Sequence, residues 1–96
     1  MALFVLHCLD ADDALPRRME ARPAHLDYVR AQGAAVKLAG PLFAADGTTI
    51  AGSLFVLDMA DRAAVDAFIA ADPYTAARVF GAVQVNPWTV SVGTLA

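Results

Sequence analysis

Two short proline-containing segments carry the side chains that could move a proton. His25 ends the sequence Arg22-Pro23-Ala24-His25, and Asp72 begins the sequence Asp72-Pro73-Tyr74. Histidine is the side chain best suited to accept and release protons near neutral pH. A carboxylate on its second ring nitrogen fixes the tautomer and stabilises the imidazolium. If the fold joins them, His25 and Asp72 form an acid/base pair.

Both members of this pair also have a purely structural interpretation. His25 lies at the border of a predicted apolar helix stripe, one position before Leu26, where it could be a polar side chain without a partner. Asp directly before Pro is typical of a helix N-cap with proline at the first helical position, so capping alone could explain Asp72. The sequence leaves both interpretations open, since only the fold can bring the two residues together.

Further candidates for substrate binding surround this pair. Arg22 lies three residues before His25, so on a continuous helix it would share that face and could bind an anionic oxygen, although a solvated arginine is the alternative. Tyr74 could donate a hydrogen bond, but packing beside the pocket is favoured. His7 lies in the middle of a strand and points into a cleft or, as we favour, into a core where a backbone group satisfies it.

Other chemistries have weaker support in the sequence. Ser53 follows Gly52 and could line the pocket, but it lacks the Gly-x-Ser-x-Gly elbow of a serine hydrolase. His7 and Cys8 would lie on opposite faces of a strand, so we predict no metal site. The segment 40–47 has no phosphate-binding spacing, which argues against nucleotide use.

The elements that must position these residues follow the order β, α, β, β, α, β. The apolar runs predict strands at 3–9, 35–39, 50–57 and 83–85, the last bent at Asn86-Pro87 and continuing towards Val90 and Val92. The predicted helices begin after Asp10, Asp12 and Asp13 and at Asp61. The first helix has an apolar stripe of Leu15, Met19, Leu26 and Val29. We expect it to break or kink at Pro23 and to end at Gly33. The second helix ends at Asp72, before a short helical turn at 74–80.

Right-handed crossovers arrange these elements as a four-stranded antiparallel sheet with both helices on one face. This is the ferredoxin-like α+β sandwich. The first and third strands are apolar at almost every position, so the face without helices must also be covered. We therefore predict a homodimer that packs sheet against sheet.

Composition and charge exclude several classes of partner. The 96 residues are enough for one domain, and the net charge of −3, with seven Lys and Arg residues in no basic run, argues against nucleic-acid binding. No run approaches the roughly 20 apolar residues of a membrane span. The single cysteine, Cys8, predicts a buried thiol in a reducing compartment and hence a cytoplasmic protein.

The chain also resembles the YciI-like (YCII-related) family of small dimeric α+β barrel proteins over almost its full length. The segments that carry the resemblance are, in order, Phe4-Val5-Leu6-His7-Cys8-Leu9-Asp10, Arg22-Pro23-Ala24-His25, Ala39-Gly40-Pro41, Gly52-Ser53, Ala71-Asp72-Pro73-Tyr74 and Val85-Asn86-Pro87-Trp88. The resemblance implies that residues 1–96 form a single YciI-like domain with a His25 and Asp72 dyad in a pocket at the edge of the barrel. It implies no cofactor, and we count Gly40 and Pro41 among the substrate-binding candidates.

The leading hypothesis is a cofactor-independent acid/base enzyme of lyase or isomerase type. The family resemblance suggests dehydrochlorinase-like activity on a small hydroxylated or cyclic molecule. Proton transfer by such a dyad supplies about 10²- to 10⁴-fold, so the substrate must be intrinsically reactive. The alternative is a small-molecule-binding or accessory module in which the pair is incidental. A cofactor-free oxygenase on a similar barrel is a third hypothesis.

Overall fold

A four-stranded antiparallel sheet carries the helices in the computed structural model, which describes residues 2–95. The elements are β1 (Ala2–Asp10), α1 (Leu15–Ala31), β2 (Val36–Phe43), β3 (Ile50–Met59), α2 (Arg62–Ala71), α3 (Pro73–Ala76) and β4 (Phe80–Pro87). The strand order is β2-β3-β1-β4, and every neighbouring pair is antiparallel. The predicted ferredoxin-like α+β fold is therefore confirmed.

The two faces of the sheet have different surroundings. Because side chains alternate along a strand, Phe4, Leu6 and Cys8 of β1 point to one face, where they are buried. The core on this face also contains residues from both long helices and β3, namely Val29, Phe55, Leu57, Met59, Val65 and Phe68. The alternate β1 residues, including His7 and Leu9, lie on the opposite face, where none of the helices within residues 2–95 covers them.

The first helix buries two polar side chains that the predicted apolar stripe does not include. Leu15 and Met19 of the predicted stripe are about half exposed, at 49% and 51%, so that part of the prediction is wrong. The buried residues of α1 are instead Arg18, His25 and Val29. The burial of Arg18 and His25 depends on hydrogen-bond partners supplied by other elements, which the hydrophobic period of the helix does not report.

α1 also continues through Pro23 as one helix of 17 residues, so the predicted restart at this proline is not observed. Pro23 removes only one N–H donor from the helix. The buried side chains of Arg18 and His25 lie before and after the proline, and their contacts hold both halves in one helix.

Several predicted boundaries differ from those observed. α1 begins after the aspartates as predicted, but none of them caps it, because Asp10 ends β1 and Ala14, which offers no side-chain cap, precedes α1. β2 passes through Gly40-Pro41 rather than stopping there, since it is an edge strand and such strands tolerate proline.

The second half of the chain follows the predictions more closely. Asp61 caps α2 as expected by accepting a hydrogen bond of 2.9 Å from the Ala64 N–H. α3 is shorter than the predicted turn. β4 ends at Pro87, and the predicted continuation is absent from the described residues, with Val92 94% exposed. Within residues 2–95, no helix is long and apolar enough to cross a membrane.

Candidate acid/base site

A pocket of about 350 Å³ lies between α1, the β2–β3 edge of the sheet and the start of α3. This volume is at the lower end of the range for small-molecule sites. Six of the predicted site residues line it, namely Arg22, His25, Gly40, Pro41, Ser53 and Tyr74. The remaining wall is mainly apolar, so polar contacts with a ligand must come from few side chains.

His25 and Asp72 meet at one side of this pocket. The His25 Nδ1 atom lies 2.7 Å from the Asp72 Oδ1 atom, and both residues are buried. An ionised carboxylate only accepts hydrogen bonds, so Nδ1 donates and the neutral ring keeps its lone pair on Nε2. Nε2 makes no hydrogen bond within the described residues, and it is not fully buried. Because His25 lines the pocket, Nε2 is accessible from the pocket. This arrangement leaves Nε2 free to accept a proton from a ligand.

Asp72 is at the same time the N-cap of α3. Its Oδ1 atom accepts a second hydrogen bond, of 2.9 Å, from the backbone N–H of Tyr74, with Pro73 at the first helical position. The capping signal in the sequence was therefore correct, and the same oxygen also contacts His25. Capping and contact with the histidine are compatible because a carboxylate oxygen has two lone pairs.

The ring of Tyr74 packs against one face of the His25 ring. The two rings are stacked, with centroids 3.7 Å apart and an angle of 7° between their planes. Phe55 of β3 makes an edge contact with His25 at 6.1 Å. Burial raises the pKa of the Tyr74 phenol, although Arg18 and Arg22 act in the opposite direction, so this hydroxyl stays protonated at neutral pH. Tyr74 thus combines the packing role that we favoured with a place in the pocket wall.

Arg18 is a buried pocket residue that sequence reasoning missed. Its Nη1 atom contacts both carboxylate oxygens of Asp10 at 2.9 and 3.3 Å, and its Nη2 atom donates to Ser53 Oγ at 2.8 Å. The guanidinium also lies over the Tyr74 ring, 4.8 Å from its centroid. The available signal was the spacing of Arg18 and His25, because residues seven apart lie on one helix face.

The other predicted residues differ in their relation to the pocket. Arg22 lines it but is exposed, and it makes no hydrogen bond within residues 2–95. His7 is exposed on the opposite face of the sheet and does not line this pocket, so its place in a cleft or a core stays a prediction. The part of the chain described here contains no group of three or more His, Cys, Asp or Glu side chains that could hold a metal ion.

Comparisons with known proteins agree on one family and one fold. The YCII-related domain matches residues 2–89. The protein YciI of Escherichia coli is 33% identical over 93 residues, which cover 90% of this chain and 95% of that protein. The YciI protein of Shigella flexneri matches with the same values.

Two solved structures are similar to this chain in fold. The 5-chloro-2-hydroxyhydroquinone dehydrochlorinase from Burkholderia phenoliruptrix AC1100, in complex with 2,5-dihydroxybenzoquinone, superposes with a TM-score of 0.84 at 28% identity, covering 91% of this chain and 93% of that one. A dimeric ferredoxin-like protein of unknown function from Jannaschia sp. CCS1 has a TM-score of 0.51 at 22% identity, covering 94% and 100%. The second likeness concerns the fold alone.

Proposed function

Because the chain belongs to the YCII-related family, we propose that it is a cofactor-independent acid/base enzyme of lyase or isomerase type. Its substrate is a small hydroxylated cyclic molecule, and the reaction is dehydrochlorinase-like. The observation that carries the proposal is the 2.7 Å contact between His25 Nδ1 and Asp72 Oδ1, with Nε2 open to the pocket. The dehydrochlorinase with its bound quinone supports the choice of substrate class.

In this proposal His25 acts as the general base and Asp72 as its orienting partner. Nε2 accepts the proton of a ring hydroxyl, and the Asp72 carboxylate compensates the positive charge that forms on the imidazole. For a chlorinated hydroxyhydroquinone, the proton of one hydroxyl first moves to the ring carbon that carries chlorine. Nε2 then accepts the proton of a second hydroxyl, the electron pair of that O–H bond forms a C=O bond, and the adjacent C=C pair shifts so that the C–Cl pair leaves with chloride. The net change is loss of HCl, so the step needs no external oxidant.

The test is release of chloride from 5-chloro-2-hydroxyhydroquinone in the absence of oxygen. We expect turnover by the unmodified protein and a loss of about 10²- to 10⁴-fold in His25→Gln. Thermal unfolding of both proteins checks that the variant is folded. Undiminished chloride release by a folded His25→Gln protein would refute the role of His25.

The same experiment separates the two other hypotheses. A binding module would return the probe chemically unchanged, and His25→Gln would alter only its affinity. A cofactor-free oxygenase would consume dissolved oxygen in proportion to product. The contact of His25 with a buried carboxylate favours the acid/base enzyme, because a ligand held only by shape needs no oriented base.

We also propose a homodimer formed through the open face of the sheet. Leu38 of β2 and Leu9 of β1 are 58% and 46% exposed. Val5 of β1 and Leu54 of β3 lie on the same face, on neighbouring strands. The related protein from Jannaschia is described as dimeric. Sedimentation of the unmodified chain should give twice the monomer mass, and Val5→Glu should give the monomer. A monomer in both cases would contradict the dimer.

The buried thiol of Cys8 supports the expected reducing compartment, and we retain a cytoplasmic location as a proposal. Cell fractionation with an antibody against the chain tests it. Recovery with the membrane or extracellular fraction would contradict it.

A further inference from the structure

A buried arginine and serine on the pocket wall have no role in the proton transfer described above. We propose that Arg18 and Ser53 form an oxyanion subsite, which binds the ionised hydroxyl oxygen of a planar ring substrate such as a phenolate or an enolate. This inference rests on the proposed function and names where the negative charge goes when His25 takes the proton.

Arg18 is fixed before any ligand arrives. The residue is 4% exposed, and Nη1 is held by both oxygens of Asp10 while Nη2 donates to Ser53. A cation that is already oriented loses little conformational freedom when charge develops beside it. Arg22 differs in this respect, because it is exposed and has no fixed partner within the described residues.

Ser53 supplies the donor that faces the ligand. Its Oγ atom accepts the hydrogen bond from Arg18, so its own O–H must point elsewhere, and no acceptor for it occurs within residues 2–95. Ser53 lines the pocket and is 2% exposed. A hydroxyl that accepts from a guanidinium is a stronger donor, since linked hydrogen bonds polarise one another.

The same aromatic ring joins this subsite to the base. Tyr74 is stacked on His25 at 3.7 Å, and the Arg18 guanidinium lies 4.8 Å from the centre of that ring. The proton acceptor and the proposed oxyanion subsite are therefore neighbours on one wall. A pocket of about 350 Å³ has room for a single six-membered ring whose hydroxyl oxygen lies against this wall.

The charges at the site limit the class of ligand. Two arginines, Arg18 and Arg22, balance two carboxylates, Asp10 and Asp72, when His25 is neutral. Transfer of one proton from a ring hydroxyl to His25 creates an imidazolium and an oxyanion together, and the balance is kept. The site therefore suits a neutral hydroxyl compound that ionises on binding, rather than a phosphate, which would bring net negative charge.

The experiment titrates 4-nitrophenol bound to the protein, because its phenolate is yellow and its ionisation is read directly. We expect the unmodified protein to bind the phenolate preferentially and so to lower the midpoint of ionisation of the bound probe. Ser53→Ala should move that midpoint up by about one pH unit, since the lost hydrogen bond is to a charged oxygen. Ser53→Thr, which keeps the hydroxyl, should restore it.

Binding of the phenolate is measured without turnover, so this result is independent of chloride release. Failure of the unmodified protein to bind 4-nitrophenol would overturn the subsite, as would equal midpoints in the unmodified and Ser53→Ala proteins. The subsite would also be overturned if Arg22→Gln alone abolished the lowering of the midpoint of bound 4-nitrophenol, because Arg22 would then be the residue that stabilises the phenolate. Thermal unfolding of each variant excludes a loss of fold as the cause.

Discussion

Replacement of Asp72 by asparagine separates the two contacts that one carboxylate oxygen makes. Asparagine caps helices as well as aspartate does, so the Tyr74 N–H should keep its acceptor and α3 its start. The Tyr74 N–H also holds the amide oxygen in the place of Oδ1, facing His25 Nδ1. The tautomer is therefore retained, and the change removes only the negative charge.

The structure sets the size of the expected effect. The His25 contact at 2.7 Å is buried and charge-assisted, and a hydrogen bond to a charged group is worth about 1.5–3 kcal/mol. At 1.36 kcal/mol per factor of ten, kcat should fall about 10- to 150-fold in Asp72→Asn. This loss is smaller than expected for His25→Gln, because the base itself remains in place.

The assay is chloride release from 5-chloro-2-hydroxyhydroquinone, with Asp61→Asn as the matched control. Asp61 caps α2 through the same kind of contact, at 2.9 Å from the Ala64 N–H, but it does not line the pocket. We expect Asp61→Asn to leave kcat unchanged and Asp72→Asn to remain folded at the temperature of the assay, as thermal unfolding of both variants will show. Equal kcat values for Asp72→Asn and the unmodified protein would refute the reasoning.

Two further predictions concern the paired strands β1 and β3. Burial, with the nearby Asp72 and Asp10 carboxylates, raises the pKa of the Cys8 thiol from 9.0 to about 12. The folded chain thus holds the thiol proton more tightly than the unfolded chain. The contribution of this thiol to the free energy of unfolding is complete below pH 9 and is lost as the pH rises towards 12, by up to about 1.4 kcal/mol per pH unit. Cys8→Ala should flatten this fall in urea unfolding, and an unaltered slope would contradict it. A Cβ on Gly52 would overlap the Cys8 carbonyl oxygen, so Gly52→Ala should lose more than about 2 kcal/mol, whereas Gly40→Ala, with nothing within 4 Å, should stay close to wild type in the same unfolding assay.

The order and type of the elements could be predicted because apolar runs and turn residues are local signals. The run from Leu3 to Leu9 identified β1, and Asp61 identified the start of α2. The burial of Arg18 could not be predicted in this way. Its partners come from β1 and β3, and the hydrophobic period that placed Leu15 and Met19 inside treats every arginine as solvent-exposed. Local rules fail where the fold buries a charge with partners from distant elements.

The sequence Asp72-Pro73-Tyr74 illustrates a different limit. Its capping signal was correct, but a capping motif does not show whether the same carboxylate also contacts a histidine, and here Oδ1 makes both contacts. Because one oxygen does both, the position of the His25 ring depends on where α3 begins, and Tyr74 fixes that ring a second time by stacking on it. The proline therefore has a consequence beyond ending α2. It sets the first turn of α3, and that turn places both the carboxylate and the aromatic ring that contact His25.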